Sequence, residues 1–238
     1  MSLRPGQWPA DTALLVPAYR AADTLGLLLP ELLAVAPAAA VLVVDDGSRD
    51  RTQEVCARLG VACVPHAVNR GKGAALATGL RLLAGRGRRW AITMDADRQH
   101  SVEDLPCLVA AAAAGPYPCL WIGRRAMRPA VMPLARICSN SITSAILSLM
   151  TGRRILDSQC GFRAYPLEAL ARIRLEYERF EAESEVILKL AHAGCPVRFV
   201  PIRTVYCGGP SHISHARDTV RWVGAVTRVW WRLRAGTE

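Results

Sequence analysis

The chain has 238 residues and a mass of 25.8 kDa, enough for one large α/β domain, and its 51% apolar and 21% charged residues exclude a disordered tail, a collagen and a low-complexity chain. Lysine and arginine number 30 against 20 acidic residues, a formal charge of +10. Lys72 and Lys189 are the two lysines, so the basic side is guanidinium, and nucleotides, lipid phosphates, nucleic acid and an anionic membrane are candidate partners, although a G- and C-rich genome also favours arginine.

In chain order, Ala13–Val16, Val41–Val44, Ala62–Val64, Ala91–Met94 and Cys119–Ile122 are short apolar runs bounded by Pro, Gly or Asp, which predicts strands. Thr24–Val35, Thr52–Leu59, Ala74–Leu83 and Val102–Ala114 fill the gaps as helices, the last opened by a capping-box pattern of Ser101 and Asp104. Alternation of this kind means an α/β fold, a doubly wound and mostly parallel sheet with helices on both faces. Ligands then bind beyond the loops after Val16, Val44 and Met94. Beyond Ile122 the spacing predicts a long helix over Val131–Met150, an irregular or strand segment over Asp157–Tyr165, a helix over Glu181–His192 and a strand over Val197–Ile202.

The segment Arg217–Arg234 reads as an amphipathic helix, with Arg217, Arg221, Arg228 and Arg232 on one side and Val223, Val226, Trp230 and Leu233 on another. Two placements are open: lying in a membrane interface, or packing on its own domain. No linker or repeat divides the chain, so a single domain is expected, with a first half over 1–122, a second half over 123–210 that completes the pocket opened by the first, and a terminal segment with the amphipathic helix over 211–238. The eight cysteines form no C-x-x-C pair, Met1–Ala10 shows no apolar core followed by a cleavage site, and no apolar run reaches the roughly 18 residues of a membrane span. A cytoplasmic location, with a peripheral position on the inner face of the membrane as an option, is the expectation.

Four loops carry the candidate chemistry. Asp45-Asp46-Gly47-Ser48 puts two carboxylates at a strand end, where they can accept from a base or ribose, while Ser48 and Asp50 can cap the next helix. Asn69-Arg70-Gly71-Lys72-Gly73 is a glycine-rich entry to a helix that suits a phosphate, or simply a tight turn. Asp95-Ala96-Asp97 points two hard oxygen donors to one side, as Mg²⁺ or Mn²⁺ requires, or else displays two solvated aspartates. Asp157-Ser158-Gln159-Cys160-Gly161-Phe162-Arg163, on spacing alone, is a turn.

Together with Val16-Pro17-Ala18-Tyr19 and Gly123-Arg124-Arg125, and in this order, the four segments resemble the family 2 glycosyltransferases of GT-A fold, in particular the branch that glycosylates dolichol or polyprenol phosphates. The resemblance runs from about Leu14 to about Asp218. It implies a metal-dependent, inverting transfer of sugar from a GDP- or UDP-sugar to a lipid phosphate. Pro17, Tyr19, Asp45, Asp46, Lys72, Asp95, Gln99 and His212 would then surround the nucleotide sugar, and Asp95, Asp97 and Gln99 the Mg²⁺ or Mn²⁺. It further implies catalytic roles for Asp97, Arg125, Arg136, Asp157 and Arg163. Arg20, Arg51 and Arg124 depart from the usual Asn, Gly and Ser, so the donor does not carry over.

The acceptor divides the family. A hydroxyl needs a general base, and no T-E-D signature is present, with Asp157, Glu183 and Glu185 in the right region and Glu185 expected as a helix-surface charge. A phosphate monoester with a second pKa of about 6 needs none, and Arg125 and Arg136 match positions that clamp it. Ser211-His212-Ile213 follows a Gly-Gly-Pro turn that could close over the site. A hydroxyl-directed family 2 enzyme and a sugar-phosphate nucleotidyltransferase are the competing readings, but the latter needs a Gly- and Arg-rich loop after the first strand. Nucleic acid ranks last, because the basic residues are not interleaved with RNA-binding aromatic motifs. Oligomeric state is not legible.

Overall fold

The computed structural model describes residues 5–204 and 215–236. The elements are β1 (Thr12–Ala18), α1 (Ala22–Leu33), β2 (Val41–Asp45), α2 (Thr52–Arg58), β3 (Ala62–Pro65), α3 (Lys72–Gly85), β4 (Trp90–Thr93), α4 (Leu105–Ala114), β5 (Leu120–Arg124), α5 (Leu134–Thr151), β6 (Arg163–Pro166), α6 (Leu167–Leu170), α7 (Glu181–His192), β7 (Val197–Pro201) and α8 (His215–Ala235).

The strands form one seven-stranded sheet in the order β3-β2-β1-β4-β6-β5-β7. All neighbours are parallel except β6, which runs antiparallel to both β4 and β5. Every residue of β1, β2 and β4 is buried, and since successive side chains point to opposite faces, both faces of the central sheet are covered. The edge strands β3 and β7 are only partly buried. Pro17 sits beyond the last rung that β1 shares with β4, where its missing N–H breaks no ladder bond on that side.

Several boundaries differ from the sequence expectation for local reasons. The long helix starts at Leu134, not Val131, because Pro133 holds an extended ψ of 138° at its N-cap. Ser101 accepts from Glu103 N at 3.3 Å and caps one 3₁₀ turn before α4; Asp104 does not close a capping box but accepts from Arg203 N at 2.8 Å. The ladder with β4 and β5 makes Arg163–Pro166 a strand, and the short helix α6 follows it.

Of the two placements left open for the terminal helix, the structure shows the second: it packs on its own domain. Ala225, Val226 and Val229 are buried, and α8 runs against α7. Trp222 Nε1 donates to Ser184 Oγ (2.8 Å) and Trp230 Nε1 to Met150 O (3.2 Å). Arg221 pairs with Glu181 (2.9 Å) and Arg232 with Glu176 (2.7 Å), so two arginines of the polar side hold carboxylates of the protein. Among the described residues no helix is long and apolar enough to cross a membrane.

Candidate active site

The carboxyl ends of β1, β2 and β4 share one rim, as parallel pairing demands, and the reversed direction of β6 brings the loop Asp157–Phe162 to the same rim. Thr93 Oγ1 donates to Gly161 O at 2.7 Å and pins that loop to the end of β4.

At the end of β2, Asp45 is fully buried and accepts from Ser48 N (3.0 Å) and Gln53 Nε2 (2.8 Å). Asp46 is also buried, and its oxygens accept from Arg70 N (3.0 Å) and Gly71 N (2.7 Å) while meeting His66 Nδ1 at 2.8 Å. Asp46 therefore shapes the glycine-rich loop. His66, missed by sequence reasoning, supports Asp46 from one ring nitrogen and meets Thr78 Oγ1 at 3.0 Å with the other. Gly71, at φ +111°, is needed because a Cβ would lie 2.5 Å from Glu178 O.

Tyr19 and Arg20 follow β1 at the mouth of the site. Tyr19 is exposed, with the Arg20 guanidinium 5.2 Å from its ring centroid, and Arg20 takes a left-handed φ of 50° while its N–H donates to Ser48 Oγ at 2.7 Å. This conformation is easy for Asn and strained for Arg.

The centre of the site is a charge cluster. Lys72, at the first turn of α3, places Nζ 2.7 Å from Asp95 Oδ1 and 3.0 Å from Glu183 Oε1. Burial alone would lower the Lys72 pKa, but the two carboxylates outweigh it and hold the ammonium above its usual range. Burial likewise pushes Asp95 up, yet Lys72 and His100 together bring it below the usual carboxylate range. His100 Nε2 lies 3.8 Å from Asp95 Oδ2, and its ring stacks on Phe162 with centroids 5.4 Å apart. Gly161 leaves the room for this cluster: a Cβ there would fall 2.5 Å from Asp95 Oδ2 and 2.8 Å from Lys72 Nζ.

Asp97 opens to the cleft, and Gln99 N donates to its Oδ1 at 3.0 Å. Loss of water around its carboxyl and then the charge of Asp95 push its pKa up. Two carboxylates, of which Asp95 raises the cost of ionising Asp97, both hard oxygen donors with the amide of Gln99 close in sequence, fit a divalent cation of the Mg²⁺ or Mn²⁺ type. Among the described residues no third acidic, histidine or cysteine ligand joins them, so nucleotide phosphate and water oxygens would have to complete the shell.

The acceptor side is built around a second buried carboxylate. Asp157, wholly inaccessible, accepts from Arg125 Nε and Nη2 at 2.9 Å each, from Arg125 N at 3.1 Å and from Asn140 Nδ2 at 2.8 Å. It anchors Arg125 through both guanidinium and main-chain N–H groups. Arg136 lies one turn before Asn140 on α5, half-buried on the side facing this cluster. Arg163 is also wholly buried, and its guanidinium donates to Cys160 O (2.7 Å), Ser158 O (2.7 Å) and Glu183 O (2.9 Å). It braces the loop from behind. Glu185, expected on a helix surface, is 1% exposed; it accepts from Glu176 N and Tyr177 N and pairs with Lys189 at 3.1 Å. His212, with the Gly-Gly-Pro turn before it, lies outside the described residues.

Comparison with known proteins adds the following. A family model described as Glycosyl transferase family 2 matches residues 13–174. A UDP-N-acetylglucosamine–dolichyl-phosphate N-acetylglucosaminyltransferase of Methanococcus voltae is 29% identical over 215 residues, covering 81% of this chain and 83% of its own. A polyprenol monophosphomannose synthase of Mycolicibacterium smegmatis is 31% identical over 183 residues, covering 73% and 67%. Among solved structures, glucosyl-3-phosphoglycerate synthase from Mycobacterium tuberculosis, in complex with Mn²⁺, UDP and phosphoglyceric acid, superposes with a TM-score of 0.73 at 16% identity over 97% of this chain and 84% of that one. At that identity the likeness shows the shared fold.

Proposed function

The chain belongs to glycosyl transferase family 2, and on that premise we propose that it moves a sugar from a nucleotide-diphosphate sugar to a polyprenyl-phosphate type of lipid, with inversion at the anomeric carbon. The observation that carries the acceptor class is the state of the carboxylates beside the site. Asp157 holds Arg125, Glu183 holds Lys72 and Glu185 holds Lys189, so each of the three carboxylates in the region of a base already serves a cation. An acceptor that brings its own oxyanion needs no base. The two relatives named above, a dolichyl-phosphate N-acetylglucosaminyltransferase and a polyprenol monophosphomannose synthase, support the same reading.

In this reading Asp45 and Tyr19 hold the nucleoside, with GDP and UDP as the donor classes, and Asp95, Asp97 and Gln99 would hold Mg²⁺ or Mn²⁺. When bound, the ion supplies Lewis-acid stabilisation of the departing diphosphate. Lys72 keeps Asp95 ionised and fixed, and adds positive charge beside the leaving group. Arg125, held flat by Asp157, and Arg136 face the acceptor phosphate; one of its oxygens bonds to the anomeric carbon as the bond to the diphosphate breaks. A lipid acceptor places the enzyme peripherally at a membrane, on the cytoplasmic side where nucleotide sugars are available.

The test is release of nucleoside diphosphate from a panel of GDP- and UDP-sugars with polyprenyl phosphate or the uncharged polyprenol. Turnover with the phosphate and none with the alcohol is expected. Faster reaction with the alcohol, or with an oligosaccharide, overturns the acceptor assignment in favour of a hydroxyl-directed enzyme.

A further inference from the structure

Among the described residues, the outer face of α5 is apolar and uncovered. Its inner face buries Asn140, Ser144 and Leu147, whereas Leu134, Cys138, Ile142, Ala145 and Leu149 are all exposed, at steps of four, four, three and four residues. Ile142 is 60% and Leu149 84% exposed. Single exposed apolar residues are ordinary, but five aligned along one helix make a stripe about 22 Å long at 1.5 Å per residue.

The charge around the stripe is of one sign. From Gly123 to Leu156 the sequence contains no Asp or Glu. Arg124 and Arg128 are exposed before the start of α5, and Arg154 is exposed past its end. The end of the stripe is joined by α8, where Trp230 Nε1 donates to Met150 O and Trp231, edge-on to Trp230 at 5.1 Å, is 66% exposed. Tryptophan favours the headgroup boundary, and arginine at the margins of an apolar strip favours anionic lipid. A second copy of the chain would instead set one arginine-flanked, acid-free strip against another, like charge on like.

We propose that the outer face of α5, with Trp231 at its end, is the surface by which the protein lies on an anionic bilayer, in place of the terminal helix that the sequence pattern singled out. The surface rests on the lipid-phosphate reading. It deepens that reading by putting the α5 turn that carries Arg136 at the headgroup level, where a lipid phosphate resides.

The experiment is co-sedimentation of the full chain with phosphatidylglycerol–phosphatidylcholine vesicles, and with phosphatidylcholine alone, lacking polyprenyl phosphate and donor. The wild type should bind the anionic vesicles in a salt-sensitive way, and Ile142→Glu with Leu149→Glu should lower the partition coefficient at least tenfold with an unchanged melting temperature. Ile142→Ser with Leu149→Ser provides the same readout without new charge. Binding by the variants equal to wild type, absence of binding by the wild type, or a wild-type dimer in sedimentation that the variants dissolve would each overturn the proposal. Because no acceptor or donor is present, these outcomes are separate from the transfer assay.

Discussion

Replacing Gly161 with Ala tests the central geometry with one carbon. The added Cβ would stand 2.5 Å from Asp95 Oδ2, 2.8 Å from Lys72 Nζ and 2.9 Å from Asp95 Oδ1. Ordinary contact is roughly 3.5 Å, so about 1 Å must be found. The loop cannot supply it by retreating, since Thr93 Oγ1 holds Gly161 O at 2.7 Å and Arg163 holds Cys160 O at 2.7 Å. The movement falls on the ends of Asp95 and Lys72, which are side chains and can yield. Stability should therefore drop by only about 1 kcal/mol, the low end of overpacking costs, or roughly 2–4 °C in a chain of this size. Activity should fall much further, because misplacing a reacting group by about 1 Å costs about 100-fold, equivalent to about 2.7 kcal/mol of barrier. Steady-state transfer measured beside a thermal melt separates the two effects. A kcat/KM within threefold of wild type would refute the packing argument, as would a collapse in melting temperature that accounts for the whole loss.

Asp97→Asn should abolish most transfer, by roughly 100-fold or more, and weaken Mg²⁺ binding, since one of few charged ligands of a hard cation is lost. It should not destabilise the apo protein: the raised pKa of Asp97 means that its stabilising contribution is complete below 3.8 and lost as pH rises through the folded value, so in melts the variant should match wild type at acid pH and equal or exceed it at pH 7. The Lys72–Asp95 pair has the opposite window. Asp95 is depressed and Lys72 raised, so the pair contributes fully above 3.8 and below 10.5, and Lys72→Met should lower the melting temperature equally at pH 5 and pH 9; a loss confined to one end would contradict the pairing. Asp157→Asn leaves the half-buried Arg125 without its counter-charge and should cost about 3–5 kcal/mol in denaturant unfolding, whereas a change under about 1 kcal/mol would show that the cluster is solvated.

Much of this arrangement was legible because the central strands are buried on both faces and so appear as unbroken apolar runs, such as Val41-Leu42-Val43-Val44. β6 was only half legible: Arg163-Ala-Tyr-Pro has no alternation, and its strand character comes from two neighbours distant in sequence. Glu185 was misread for a definite reason. An i, i+4 Glu–Lys pair usually marks a solvated helix face, and only the packing of α8 and the 176–177 backbone over α7 turns it inward. Asp46, Asp157 and Arg163 carry the right motif but have partners that are largely main-chain atoms or residues far away, which no spacing rule reports. The apolar period of α8 was correctly seen, but a helix face has the same pattern whether a neighbouring helix or lipid covers it.

The reversed strand β6 also governs when the site can exist during synthesis. Thr93 and Gly161 are 68 positions apart, and Lys72 and Glu183 are further apart still, so the rim is stitched from segments that leave the ribosome at well-separated times. The early β-α-β units can pair locally, but until β6 inserts, β4 is an open edge and Asp95 has no wall beside it. Contacts of such long range make the last step of assembly slow, and they tie the appearance of a functional centre to completion of α7 rather than to formation of the nucleotide-side strands.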